Sequence, residues 1–437
     1  MDLDTLPQHQ KGIQHMAGSF SSDRRVVVTG MGIVSCLGTT LDTVSESLRS
    51  GRSGIVVSDE RIARGYRSPL TGRLPPLDPA AILKKKELKS MPEHTVYAAL
   101  AAHSAFQESG TPVELFDSDR AGIIIGSDSS AGACSEVLRT VESEKSTQGL
   151  GSGAVVRCMN SSPSINLGSK YKVRGGSFTV SAACASGAHA LGLSYLMIKM
   201  GWMDAMLTGG CQEVCWESMA AFDALMTFST RVDAPAQASR PFDQHRDGLV
   251  PSGGGAILFL EELSSARARN ATIYAEMIGY ALTSDGYHLT EPSSIGAERC
   301  MINALNLAGL SPGDVDYINA HATATIAGDM AEAKAIHAVF GPHGPPVSST
   351  KSMTGHECWM AGASESIYSL LMLRDGFVAP NVNFTGFSDG MPGINVAPAT
   401  VTRKLDTVLS NSFGFGGTNA CLLFKRYSEG SAGRGKT

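Results

Sequence analysis

Ser177-Phe-Thr-Val-Ser-Ala-Ala-Cys-Ala-Ser-Gly-Ala-His-Ala190 begins as a β-branched and aromatic run and turns into small residues that continue as a helix to Met200 and stop at Gly201. A strand that enters a helix with almost no loop is the elementary unit of an α/β protein. Cys184 stands at the junction, near backbone N–H groups whose partial positive charge favours a thiolate, and its small neighbours leave access to the sulfur. The alternative is a buried packing cysteine, the commonest fate of a free thiol.

The same alternation extends in both directions. Upstream, Arg25–Ser35 reads as a buried strand, Asp42–Arg49 as a helix, Met91–Gln107 as an Ala-rich helix ending at Gly110, and Ala121–Gly126 as a second strand. Downstream, Asp204–Gly210 and Ala256–Glu262 are strands. The rhythm then restarts: strand Ile273–Leu282, helix Glu298–Ala308, strand Asp316–Ala320, helix Asp329–Val339, strand Pro346–Thr350 and helix Cys358–Arg374, stopped at Gly376. Thr407–Ser412 and Ala420–Lys425 close the pattern as two more strands. Apolar runs of this kind belong to sheets covered on both faces. The expectation is a duplicated α/β body with halves 25–270 and 271–427, a disordered extension at 1–24 and a flexible tail at 428–437.

At 437 residues, 43% hydrophobic and 18% charged, the chain is long enough for a large core and too apolar for a disordered segment or a coiled coil. Its 48 glycines follow no G-x-y period, which excludes collagen. Lys and Arg number 36 against 41 Asp and Glu, so there is no global basic excess for a nucleic-acid backbone. The longest apolar stretch, Ala188–Met200, contains His189 and Lys199 and is too short for a membrane span. The amino-terminal residues show no apolar signal core, and nine scattered cysteines point to a reducing cytoplasm. Cys211 and Cys215 lack a second pair for zinc, and no metal is expected. Gly30-Met-Gly-Ile-Val-Ser lacks the third glycine and the acid of a dinucleotide loop, and Ser252-Gly-Gly-Gly has no phosphate-loop lysine.

Three further segments carry reactive groups at the ends of expected strands, where α/β proteins place their sites. Asn319-Ala-His-Ala-Thr-Ala-Thr325 offers His321. Ser349-Thr-Lys-Ser-Met-Thr-Gly-His-Glu357 offers Lys351 and His356. Within it Thr354 and Glu357 have capping-box spacing. A lysine at a buried strand end needs a partner, for which Asp329 and Glu332 are candidates. Asn411-Ser-Phe-Gly-Phe-Gly-Gly-Thr-Asn419 places glycines around Phe415, a loop suited to offering N–H groups to an oxyanion and an aromatic gate. Each segment has an ordinary structural alternative: a hydrogen-bonding core histidine, a helix start, a tight turn. One thiol with two imidazoles is nonetheless a coherent chemical set. The thiolate accepts an acyl group from a thioester, two imidazoles polarise a second thioester as it loses CO2, and the resulting carbanion forms a carbon–carbon bond.

Together these segments resemble β-ketoacyl-acyl-carrier-protein synthases, the decarboxylating condensing enzymes of the thiolase superfamily, over about residues 25–426. Cys215-Trp-Glu, Ala238-Ser-Arg-Pro-Phe-Asp-Gln-His-Arg-Asp-Gly248, Ile273-Tyr-Ala-Glu-Met-Ile-Gly-Tyr280 and Tyr368-Ser-Leu-Leu-Met-Leu373 are similar to the bacterial synthase I/II branch. The resemblance implies a layered α-β-α-β-α thiolase-like fold with two central mixed sheets. It implies Cys184 as acylated nucleophile, His321 and His356 as the groups assisting malonyl decarboxylation, and Lys351 as electrostatic support bridged to Glu332, with Asp329 beside them. It implies Thr323 and Thr325 on the phosphopantetheine arm. The N–H groups of Cys184 and Phe415, with Gly416 in the same loop, are implied as oxyanion hole, and Phe415 as gate. Lys86 and Lys89, joined by Lys145, are implied as the docking site for an acidic acyl carrier protein. No cofactor is implied beyond the carrier's phosphopantetheine. A dimer pairing Ser177–Ala182 across a two-fold is implied as well.

Two departures from the family pattern stand out. The usual His-Gly-Thr is here His321-Ala322-Thr323, which puts a methyl group beside the expected pantetheine tunnel. The usual small residues after the second histidine are here Glu357-Cys-Trp-Met-Ala-Gly362, with Trp359 and Met360 expected to reshape the acyl pocket or a subunit contact. They open a specialised polyene or polyketide-like pathway beside fatty-acid synthesis. The chain also suits the catalytic half of a heterodimer with a chain-length-factor-like homologue. A non-catalytic partner subunit would lack the nucleophile, and a non-decarboxylating thiolase would carry a second cysteine within Phe413–Asn419, which has none. A synthase III-type starter enzyme would carry Asn in place of His356.

Overall fold

The computed structural model describes residues 24–429. Most of the expected extension and tail, residues 1–23 and 430–437, lies outside the described residues. Arg24, counted with the extension, belongs to the body: its guanidinium donates to the Ile198 carbonyl at 2.8 Å and to Asp204 at 2.6 Å.

Ten strands form the main sheet. They are β1 (Val26–Val34), β2 (Ala121–Gly126), β3 (Ser177–Val180), β4 (Ala205–Gln212), β5 (Gly254–Glu262), β6 (Ala275–Ser284), β7 (Tyr317–Asn319), β8 (Val347–Ser348), β9 (Thr407–Gly414) and β10 (Thr418–Lys425). Their spatial order is β3-β2-β4-β5-β1-β6-β10-β9-β7-β8. Counted outward from the β1–β6 junction, the two halves have the same order. They also have the same directions: parallel at β3-β2-β4 and β8-β7-β9, antiparallel elsewhere. The two expected sheets are joined by three antiparallel residue pairs, Val26↔Met277, Val27↔Glu276 and Val28↔Ala275, into one continuous ladder.

Strand alternation makes the layers. In β2, Ile123 and Ile125 face a core shared with α1 (Glu93–Ser109), while Ile124 faces the opposite core. That second core holds α2 (Ser186–Lys199). In β9, Leu409 faces a core containing α3 (Ser294–Ala308) and α4 (Ile326–Phe340), while Val408 faces the core of α5 (Ala361–Asp375). α2 and α5 therefore form the middle layer, which gives the α-β-α-β-α order. Their approach is close: a Cβ on Gly362 would sit 2.6 Å from the Ala188 backbone nitrogen. α5 is buried through Leu373, as a helix packed between two sheets must be.

Three local expectations change. Ser177 and Phe178 are exposed, because β3 is an edge strand rather than a buried one. The expected strand 346–350 shrinks to two residues. Thr354 and Glu357 form no capping box: Thr354 Oγ1 donates to the Thr350 and Gly355 carbonyls, and Glu357 accepts from Ser35, Ser364 and Tyr368 in the core.

Candidate active site

Four chain segments leave the carboxyl ends of β3, β7, β8 and β9 and meet at one cavity, as parallel strands dictate. From β3 comes Cys184, in a short 3-10 turn, Ala183–Ala185, that precedes α2. Ala183 takes the left-handed conformation, φ +46°, at a cost of about 1–3 kcal/mol for a residue with a Cβ. Neighbouring groups hold it there. The Ala183 N–H donates to Asp128 at 3.0 Å, the Ala182 N–H donates to Ser186 Oγ at 2.8 Å, and that hydroxyl donates to the Ala183 carbonyl at 2.6 Å. The turn thereby fixes the sulfur's direction.

Cys184 is 5% exposed, and burial pushes its thiol up to about 12. The Lys351 charge and the N–H groups of Phe415 and of Cys184 itself pull the other way without overcoming burial. The helix-start environment thus does not make a resting thiolate, contrary to the expectation from sequence, because desolvation outweighs the backbone dipoles.

His321 follows β7 and His356 follows the turn after β8. Their rings are 5.3 Å apart and nearly perpendicular. Cys184 Sγ and one nitrogen from each ring lie within 4.8 Å of one another. Lys351 Nζ is 3.3 Å from His321 Nδ1, and since an ammonium only donates, that nitrogen accepts. The Cys358 N–H donates to His356 Nδ1 at 3.2 Å. Both rings therefore carry their proton on Nε2, and His356 Nε2 is buried with no partner. Burial first, then the Lys351 charge, holds both imidazoles well below their ordinary value, so they are neutral. The site offers two N–H donors beside one thiol.

Lys351 is bridged to Glu365 on α5, not to Glu332 or Asp329. Burial pushes the Glu365 carboxyl up to about 8, and the Lys351 charge opposes that shift. Glu332 instead accepts the N–H groups of His321 at 2.9 Å and Ala322 at 2.6 Å, and Asn411 Nδ2 at 3.0 Å. Asp329 accepts the N–H groups of Ala324 at 3.0 Å and Phe242 at 2.7 Å. Both acids clamp the loop that carries His321, including Ala324 at φ +69°. The sequence signals Glu365 only as the lone acid in the otherwise uncharged run Ala361–Leu373.

After β9, Phe415 is 38% exposed and its ring stacks on Phe222 at 6.0 Å. Gly416 turns the loop at φ +77°, but its N–H donates to the Leu289 carbonyl at 2.8 Å. It is committed there, which leaves the N–H groups of Cys184 and Phe415 as the candidate oxyanion donors. Thr323 and Thr325 line the cavity, with their hydroxyls 3.0 Å apart, and so does the Ala322 methyl. The mouth is bordered by residues 288–293, a segment that carried no recognised motif. Met360 is buried in the middle core, away from both pocket and surface, whereas Trp359 packs in the apolar cluster that contains Cys184. Lys86, Lys89 and Lys145 are exposed on the surface.

Among the described residues a second group of ligand-type atoms, Glu93, Glu213 and Cys215, also lies together. Its carboxylates already accept backbone N–H groups: Glu213 from Ala131 and Gly132, Glu93 from Val214 and Cys215. These bonds satisfy the acids at helix starts.

A duplicated α/β fold that converges a buried thiol and two neutral imidazoles on one cavity defines a thiolase-like condensing enzyme. Residues 23–266 match the family model described as beta-ketoacyl synthase, N-terminal domain, and residues 274–385 match the C-terminal domain. The chain belongs to the β-ketoacyl synthase family, whose members are acyltransferases. It is 42% identical over 410 residues to 3-oxoacyl-[acyl-carrier-protein] synthase 1 of Haemophilus influenzae, covering 93% of this chain and all of that one. A crystal structure of a beta-ketoacyl synthase from Burkholderia phymatum matches with TM-score 0.88 and 34% identity over 93% of this chain and all of the other. A ketosynthase structure described as a complex with a type II polyketide acyl-carrier protein and bound to the hexaketide matches with TM-score 0.84 and 30% identity, again over 93% and 100%. Among the described residues no helix is long and apolar enough to cross a membrane.

Proposed function

We propose that this chain catalyses the decarboxylating condensation of an acyl group on Cys184 with a malonyl thioester carried by an acyl carrier protein, giving a β-ketoacyl thioester. The observation that carries the reading is the pair of neutral imidazoles of fixed tautomer, each with one ring nitrogen within 4.8 Å of one thiol, on a cavity lined by Thr323 and Thr325. In the first half-reaction the sulfur attacks the acyl thioester, the carbonyl oxygen enters the hole of the Cys184 and Phe415 N–H groups, and the thiol proton ends on the departing pantetheine sulfur. In the second, His321 and His356 donate to the malonyl thioester oxygen while the bond to the carboxylate breaks and CO2 leaves. The carbanion attacks the acyl carbonyl, the carbon–sulfur bond breaks, and the Cys184 thiolate takes up a proton. Neutral donors suit this role, because they stabilise the enolate oxygen without giving it a proton.

Lys351 fixes the His321 tautomer, and the same ammonium argues against a metal ion between the imidazoles. Thr323 and Thr325 hold the phosphopantetheine arm and Phe415 gates it. Lys86, Lys89 and Lys145 receive the acidic carrier protein. The substrates bring their phosphopantetheine with them, so the reaction needs no further cofactor. The chain divides into halves 25–270 and 271–427 and works in the cytoplasm. The exposed edge of β3, with Phe178 outward, supports pairing with a second subunit across a two-fold. Incubation with malonyl-carrier protein and acyl-carrier proteins, read by mass spectrometry, tests the reading. An acyl adduct on Cys184 and a β-ketoacyl product are expected, and absence of both overturns it.

A further inference from the structure

We propose that Trp359 sets the upper length of the acyl group on Cys184 and makes this chain selective for short acyl groups, acetyl to butyryl. The inference rests on the condensing reading above. One side of the sulfur is polar, with two imidazoles and the threonine-lined approach. The other side is the apolar cluster of Met219, Phe228, Leu249, Cys358 and Trp359, with Phe222 packed against it. A hydrocarbon tail is stable only on this second side. Met219, Phe228, Leu249, Cys358 and Trp359 are all buried there. The cavity reaching the sulfur is bounded there by Phe222, Leu225, Thr227 and Leu249 and stops short of Trp359. A chain of more than a few carbons has to displace the indole.

The backbone that carries the indole is held closely. A Cβ on Gly210 would lie 2.9 Å from the Trp359 carbonyl oxygen, and one on Gly187 would lie 3.1 Å from it, so this turn is seated directly on β4 and α2. The preceding Cys358 is in the left-handed region at φ +47°. On the ring side, Phe222 is 6.0 Å from the indole and is itself stacked on Phe228 and Phe415. Trp359 Nε1 is buried without an acceptor, which marks the side chain as placed for its bulk and not for a hydrogen bond.

The test is acyl loading onto Cys184 from carrier proteins bearing acetyl through dodecanoyl groups, for the full chain and for Trp359→Gly and Trp359→Phe, with a thermal melt of each. Wild type is expected to load acetyl to butyryl at least roughly tenfold faster than octanoyl and longer groups, with the order inverted in Trp359→Gly and Trp359→Phe between the two. Wild-type loading of octanoyl as fast as butyryl overturns the inference, as does an unchanged profile in a folded Trp359→Gly. If that variant fails to melt cooperatively, the wild-type and Trp359→Phe profiles decide. Failure of the wild type to load any acyl group overturns the condensing reading itself, and this inference with it.

Discussion

The two halves of the molecule share a strand order and differ in what they put at the strand ends. After β3, the first half presents Cys184 on a strained turn inside an apolar cluster, with a carboxylate, Asp128, gripping the backbone and not the sulfur. After β7 and β8, the second half presents His321 and His356 inside a charged network of Lys351, Glu365, Glu332 and Asp329. The first half therefore supplies the candidate nucleophile and part of an apolar cluster that Cys358 and Trp359 of the second half complete, and the second half supplies two imidazoles of fixed tautomer. The architecture repeats while the chemistry divides, because a sheet dictates where strand ends fall and leaves the side chains there free to differ.

That division is open to test. Cys184→Ala should lower acyl transfer by roughly 10⁴-fold or more while malonyl decarboxylation, a function of the other half, persists. Retained condensation measured by product mass would break the assignment. His321→Ala and His356→Ala should each cut decarboxylation by about 10²–10³-fold, the loss typical of one oxyanion donor, while leaving acyl loading on Cys184 detectable. Lys351→Met should lower unfolding free energy by about 1–3 kcal/mol in a denaturant titration, because it leaves the buried, largely protonated Glu365 carboxyl without its hydrogen-bond partner. Lys351→Met with Glu365→Leu should recover most of that loss. The thiol gives a subtler contrast. With burial pushing it up to about 12, the rate of iodoacetamide alkylation at Cys184 should rise about tenfold per pH unit across the neutral range. A plateau below about pH 8 would mean that the backbone dipoles win after all. The smallest effect belongs to the surface: Lys86→Glu with Lys89→Glu should raise KM for carrier-bound substrate about two- to fivefold and leave small thioesters unaffected.

Much of the fold was legible because strand and helix periods alternate cleanly and glycines end the helices, as at Gly110 and Gly376. The candidate site residues were legible for the same reason, since Cys184, His321 and Phe415 each follow a strand closely and His356 lies one short turn beyond another. What misled was tertiary context. Thr354 and Glu357 have the spacing of a capping box, yet Glu357 is drawn into the core by three hydroxyls from other elements. Gly416 sits in the right loop for an oxyanion donor, yet its N–H meets the Leu289 carbonyl on a distant segment. Ser177–Val180 reads as buried from its composition, yet lies at the sheet's open edge.

By itself, the sequence determined the α/β class, because strand and helix periods are local, and it put one thiol and two imidazoles forward as candidates through their resemblance to a family; the duplication it only suggested. Only the tertiary structure decided that Lys351 pairs with Glu365, that both histidines carry their proton on Nε2, that Cys184 rests as a thiol and that Trp359 packs beside it and Met360 does not. Each of those outcomes turns on which groups from separate strand ends are brought within a few ångströms and removed from water. Burial and pairing of that kind are set by how two half-sheets close on a shared helix layer, which no local stretch of sequence records.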